Sequence, residues 1–221
     1  MAIKKVRAEV VEKENKKEQP VNRTMNKNII IAGVGGQGIL TIAAIIDLAA
    51  MELGLHVKQA EVHGMSQRGG AVESHLRLSS REIFSDLIPK GKADLILSIE
   101  PMEALRYLPF LAPDGVIVAA TEAIENIENY PDKEKVLETI RQSAQHLLVE
   151  AEPLAREAGN ARAGNVVMLG AASPYLDISA EQLEAAIARF FGRKGEEVVE
   201  MNLNAFRLGR ARATKEDETN Q

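Results

Sequence analysis

Apolar residues along this chain follow two rhythms. Short runs rich in aliphatic and β-branched residues at Asn28 to Ala32, Leu55 to Glu61, Ala71 to Leu78, Asp94 to Ser98 and Val116 to Ala119 predict strands. Longer stretches with a helical period predict helices over Gln37 to Leu53, Pro101 to Leu108, Lys133 to Glu150, Pro153 to Glu157, Ala163 to Ala172, Ala180 to Phe190 and Glu196 to Arg207. In the helix from Ala180, Leu183, Ile187 and Phe190 form an inward stripe, and Glu181, Glu184 and Arg189 a wet face. Strands alternating with helices imply an α/β fold: a doubly wound, mostly parallel sheet with helices on both faces and a helix-rich C-terminal half. One strand departs from the pattern. From Val72 to Leu78 polar residues are interleaved with apolar ones, which suits an edge or antiparallel strand better than a central parallel one.

Polar ends frame one domain. Residues 1–27 carry eight basic side chains against four acidic ones, in a chain whose formal net charge is -5. This segment reads as a flexible charged tail, residues 28–213 as a single α/β domain, and residues 214–221 as a polar tail that frays. Met25 stands just before the first strand, where a natural start would leave the upstream residues outside the domain. With 221 residues, 45% of them hydrophobic and 27% charged, the chain can bury one sizeable core. It has no run of roughly 18 apolar residues to cross a membrane, and its charged start lacks an apolar signal core, so a cytoplasmic protein is expected. Cysteine is absent, which removes disulfides, zinc–thiolate sites and iron–sulfur clusters ligated by this chain's own thiolates. The acidic balance, with no basic stripe among aromatics, argues against nucleic acid.

The candidate chemistry lies in two glycine loops. Residues 28–38 join a β-branched strand to a turn of pattern G-x-G-x-x-G, and a helix-forming run follows from Ile39. In that order, backbone N–H groups and a helix N-terminus converge on an anion such as a diphosphate, the arrangement of a Rossmann-like fold. Gly33 is expected to allow the tight turn, Gly35 the close approach of a ligand, and Gly38 the packing of helix on strand. Gly36 and Gln37 fill the free positions, and the Gln37 amide is a candidate donor to a phosphate or a partner chain. A purely structural turn is the plainer alternative. The second loop, His63 to Gly70, follows the second strand and should face the first across one crevice. There Arg68 can pair with phosphate or carboxylate, Ser66 and Gln67 can donate hydrogen bonds, and Gly69 and Gly70 admit close backbone approach. His63 is a weaker candidate. Elsewhere Asn165 reads as a helix N-cap, Glu100 as a helix initiator before Pro101, and Glu73, His75 and Arg77 as a solvated or interfacial strand face. A nicotinamide site would place an acid at the end of the second strand; Glu61 comes late and Glu52 falls on the helix, which weakens that reading.

Three segments carry a resemblance: residues 29–38, residues 61–77, and Gly164-Asn165-Val166-Val167-Met168-Leu169-Gly170. Together they resemble the gamma-type subunit or domain of 2-oxoacid:ferredoxin oxidoreductases, most nearly the small beta subunit of indolepyruvate ferredoxin oxidoreductase, over Lys27 to Leu208. Pyruvate-type members usually carry an acidic residue where this chain has Ser66, which favours the indolepyruvate branch. The resemblance implies a subunit of an enzyme that decarboxylates 2-oxoacids oxidatively to acyl-coenzyme A. Thiamine diphosphate and iron–sulfur clusters would sit on a large partner subunit, electrons would pass to ferredoxin, and coenzyme A would lie at the glycine loops. It would transfer a cofactor-binding role to Gly33, Gly35, Gly36, Gln37, Gly38, Ser66, Gln67, Arg68, Gly69 and Gly70, with no metal ligand and no catalytic residue assigned. A stand-alone nucleotide- or NAD-binding protein and a noncatalytic interaction module are the alternatives.

Overall fold

The computed structural model describes residues 24–64, 70–125 and 129–219. Strands β1 (Asn26–Val34), β2 (His56–His63), β3 (Ala71–Ser79), β4 (Ala93–Ser98), β5 (Leu111–Ala120) and β6 (Gln145–Val149) form one sheet in the order β2-β3-β1-β4-β5-β6. β1, β4, β5 and β6 are parallel neighbours, whereas β3 runs antiparallel to both β1 and β2, so β2 again points along β1. The sheet is therefore mostly parallel, and β3 is the antiparallel strand that its alternation suited, placed inside the sheet. The helices are α1 (Ile39–Glu52), α2 (Pro101–Arg106), α3 (Lys133–Ser143), α4 (Ala151–Glu157), α5 (Gly164–Ala172), α6 (Ala180–Phe191) and α7 (Glu196–Thr219).

Both faces of the sheet are covered. Ile29, Ile31, Leu76, Leu95, Leu97 and Val118 pack with buried residues of α1, α5, α6 and α7, while Ile30, Ala32, Ile96, Ile117 and Ala119 pack with those of α2 and α3. Burial on two sides is why β1 and β4 read as nearly unbroken apolar runs. On the helix-rich face, α5 and α7 meet backbone to backbone: a Cβ on Gly170 would come within 2.0 Å of the Phe206 carbonyl oxygen, and one on Gly209 within 1.9 Å of that of Val167.

The stretch expected as one helix from Lys133 to Glu150 is divided. α3 ends at Ser143, Ala144 is extended at φ -164° and ψ 178°, and Gln145–Val149 pairs with β5. Leu147 and Val149 pack on one face and Leu148 on the other, a two-residue period that the helical spacing of Val136, Leu137 and Ile140 overran. At the ends, Met25 is buried and its carbonyl accepts from the Ser80 N–H at 3.0 Å, so residues 25–27 belong with the sheet. α7 continues to Thr219, through residues expected to fray, with Phe206 and Ala213 buried. No described helix is long and apolar enough to cross a membrane.

Candidate functional site

From β1 the chain passes to the far edge through α1, returns to β1's side as β3, and only then crosses to β4. β1 is thus the point where the strand order reverses, and the carboxyl ends of β1 and β4 flank the crevice where open α/β sheets bind ligands. The glycine turn stands there. Its left-handed residues are Gly36 at φ 103° and Gly38 at φ 81°, which corrects the expectation that Gly33 makes the turn. Gly33 lies in β1, where a Cβ would meet Gln37 Oε1 at 2.6 Å; its smallness seats the Gln37 side chain. That carboxamide is engaged at both ends: Oε1 accepts from the Val34 N–H at 2.7 Å, and Nε2 donates to the Ile99 carbonyl, just past β4, at 3.0 Å. Gln37 therefore fastens the turn to the β4 end of the crevice.

The two glycine loops lie side by side. Gly35 N–H donates to the Gly70 carbonyl at 2.9 Å, and Gly64 N–H to the Ala71 carbonyl at 2.9 Å, which brings both ends of the second loop beside the first. They meet because β2 and β3 form a hairpin next to β1, with Val34 opposite Ala71. Ser66, Gln67, Arg68 and Gly69 lie outside the described residues, as does the side chain of His63. Glu61 is on edge strand β2, with β3 between it and β1, so it does not stand beside the turn as a ribose-binding acid would.

Several backbone donors of the turn are unspent. Among the described residues, nothing accepts from the N–H groups of Gly36, Gly38, Ile39 or Leu40, whereas those of Gly35, Gln37, Thr41 and Ile42 are all bonded. α1 has no side-chain cap and no acid in its first turn, and neither has α5, whose start is linked to Gly38 by a hydrogen bond. By contrast α2, α3 and α6 are capped by Glu100, Asp132 and Ser179. Successive N–H groups around left-handed glycines at a helix N-terminus are the kind of arrangement that receives an anion.

Asn165 was expected as an N-cap, but Ala163 holds that position and Asn165 lies in the first turn of α5. Its Oδ1 still accepts from a helix-end donor, the Val166 N–H at 3.0 Å, while its Nδ2 donates to the Gly38 carbonyl at 3.2 Å. A Cβ on Gly38 would meet that amide at 2.5 Å, so Gly38 packs against Asn165 rather than against a strand. The partners are 127 residues apart, and no local pattern signals their meeting.

On the strand face of Glu73, His75 and Arg77, expected to be solvated or interfacial, His75 is buried while Glu73 and Arg77 are half-buried. Arg77 donates to Asn28 Oδ1 and to the Ser85 carbonyl, each at 2.9 Å. His75 Nδ1 accepts from the Ile88 N–H at 3.1 Å, and burial lowers its pKa despite an opposing pull from Glu73. Tyr107 is held well above the usual phenol range, by burial first and then by its hydrogen bond to Glu73. Glu100 initiates α2 as expected, accepting from the Glu103 N–H at 2.9 Å, and also accepts from the Tyr130 hydroxyl. Burial and that bond push Tyr130 upward as well.

The sequence signature described as pyruvate ferredoxin/flavodoxin oxidoreductase matches residues 28–212. The chain belongs to this family. It is 39% identical to "Indolepyruvate oxidoreductase subunit IorB" of Pyrococcus horikoshii, covering 86% of this chain and 96% of that relative. Among solved structures it is similar to the 2-oxoglutarate:ferredoxin oxidoreductase of Magnetococcus marinus with 2-oxoglutarate, coenzyme A and succinyl-CoA bound. That match has a TM-score of 0.71 and 25% identity, and covers 87% of this chain and 32% of the other. The gamma subunit of a keto/oxoacid ferredoxin oxidoreductase from Geobacter sulfurreducens matches with a TM-score of 0.62 and 26% identity, over 86% of this chain and 99% of that one. The resemblance carried by the two glycine loops and the Gly164–Gly170 segment is thus upheld, and the family's α/β fold is the one found.

Proposed function

We propose that this chain is the small subunit of an indolepyruvate-type 2-oxoacid:ferredoxin oxidoreductase, and that its glycine turn holds the diphosphate of coenzyme A. The observation that carries the site is the set of N–H groups at Gly36, Gly38, Ile39 and Leu40 that find no acceptor among the described residues, at the switch point of a sheet whose family is known. A diphosphate fits such donors because its charge meets the N-terminus of α1, which has no side-chain cap and no acid in its first turn. Coenzyme A supplies the thiol that accepts the acyl group. The chain's own part is to bind and orient: Gln37 ties the turn to the β4 end, Asn165 ties it to α5, and Gly70, at the start of β3's hairpin arm, holds Gly35. Thiamine diphosphate and iron–sulfur clusters belong to a larger partner, since a chain without cysteine offers no thiolate to a cluster. Aryl 2-oxoacids are the substrates, in line with the name of the relative that matches over nearly its whole length, and ferredoxin the electron acceptor, in line with the family's description.

The test is co-expression with the cluster-bearing subunit, purification through a tag on this chain, and an assay of viologen reduction with indolepyruvate or pyruvate, with and without coenzyme A. Activity that needs both chains and coenzyme A and prefers indolepyruvate is expected. Failure to recover a partner, with stoichiometric NAD binding by the chain alone, would overturn the proposal in favour of a free dinucleotide-binding protein.

A further inference from the structure

Gly38 is the hinge of the glycine turn, and glycine has no side chain with which to hold its own conformation. Its carbonyl is held from three sides. It accepts from Thr41 N–H at 3.0 Å and Ile42 N–H at 3.3 Å within α1, and from Asn165 Nδ2 at 3.2 Å across from α5. A carbonyl and the next residue's N–H share one rigid peptide plane and point in opposite directions. Whatever holds the Gly38 oxygen therefore also fixes the direction of the Ile39 N–H, one of the donors with no acceptor among the described residues. Asn165 is itself fixed, because its Oδ1 accepts from the Val166 N–H at 3.0 Å, and its amide fills the space that any Cβ on Gly38 would need.

We propose that Asn165 is a positioning residue for the anion cradle: it sets the Gly38–Ile39 peptide plane so that the donors of the turn are arranged before the ligand arrives. This rests on the reading of the cradle as the coenzyme A diphosphate site. A carboxamide suits the task better than its acid counterpart. It donates to a carbonyl while staying neutral, whereas a carboxylate there would carry a negative charge beside two helix N-termini and compete with the ligand for them.

The test uses the assembled complex with wild type, Asn165→Ala and Asn165→Asp. Coenzyme A binding is measured by calorimetry, hydrogen exchange is followed over residues 35–42 without ligand, and kcat and KM for coenzyme A are determined. Asn165→Asp keeps the acceptor for Val166 N–H, so it serves if the alanine variant fails to fold. Asn165→Ala is expected to raise Kd and KM for coenzyme A about tenfold, with kcat at saturation within twofold and faster exchange across the turn. Asn165→Asp should lose about a hundredfold in affinity and recover part of it as pH falls and the new carboxyl protonates. Wild type binding coenzyme A, with both folded variants within twofold of it, would overturn the positioning role and leave the site reading intact. No binding by wild type would overturn both.

Discussion

Asp47 on α1 has its pKa raised from 3.8 to about 6, chiefly by burial and next by the charge of Glu61. Its Oδ1 is buried without a hydrogen-bond partner among the described residues. Between those two pH values the folded state keeps a proton that the unfolded chain has lost, so stability declines as pH rises through this window. Asp47→Asn should stabilise the domain by about 1 to 2 kcal/mol at pH 8, after allowance for partial exposure, and by much less at pH 4. Urea midpoints at the two pH values decide it; equal shifts at both would refute the linkage. His75 works in the opposite sense. Its pKa is lowered from 6.5, so the stability that comes from burying it neutral is present above pH 6.5 and is lost as pH falls through the folded value. His75→Ala should cost about 2 to 4 kcal/mol at pH 7.5 in a denaturant melt. It leaves a cavity beside Phe110 and orphans the Ile88 N–H at a buried position.

Among the elements, the crossing of α5 and α7 depends on two residues without side chains. Gly170→Ala or Gly209→Ala would place a methyl carbon within 2.0 Å of a backbone carbonyl oxygen of the other helix, a clash that flexible side-chain motion cannot relieve. Each should cost ~3 kcal/mol or more and lower Tm by on the order of 10 °C, against a small effect at Gly192, where a Cβ would meet nothing within 4 Å. A thermal melt of the three alanine variants reads the contrast, and equal Tm values would show that the helices separate at little cost. The element most misread from the chain was β6. Its residues alternate between the faces only because β5 offers an open edge to pair with, and α3, immediately before it, has a good amphipathic helical pattern of its own. β1, β4 and α6 were legible because each satisfies a rule along its own length: unbroken burial for the strands, and an inward apolar stripe for the helix, whose start the structure shows fixed by a Ser179–Gln182 capping box.

For the molecule as a whole, composition and assembly point the same way. A chain without cysteine should purify alone as a colourless protein that does not reduce viologen, and should gain visible cluster absorbance only when recovered with its partner. An ultraviolet–visible spectrum before and after co-purification is the check; broad absorbance near 400 nm in the isolated chain would contradict it. Phe84, Leu87 and Val62 are large apolar side chains left exposed on the segment after β3 and on edge strand β2, in a domain that otherwise buries most of its aliphatic residues.

The amino-acid sequence by itself determined the α/β class, the glycine turn between β1 and α1, the second loop at the same sheet edge and the family to which the chain belongs. These follow from local spacing, and local spacing is written in consecutive residues. Tertiary structure alone decided which glycines make the turn, where Gln37 spends its amide and that Asn165 reaches Gly38. It also decided that β3 separates β2 from β1, and with it that Glu61 does not stand beside the glycine turn. The physical reason is the same in each case. A side-chain amide has several partners of nearly equal worth along the chain, and only the packing of α1 and α5 around the end of β1 selects one.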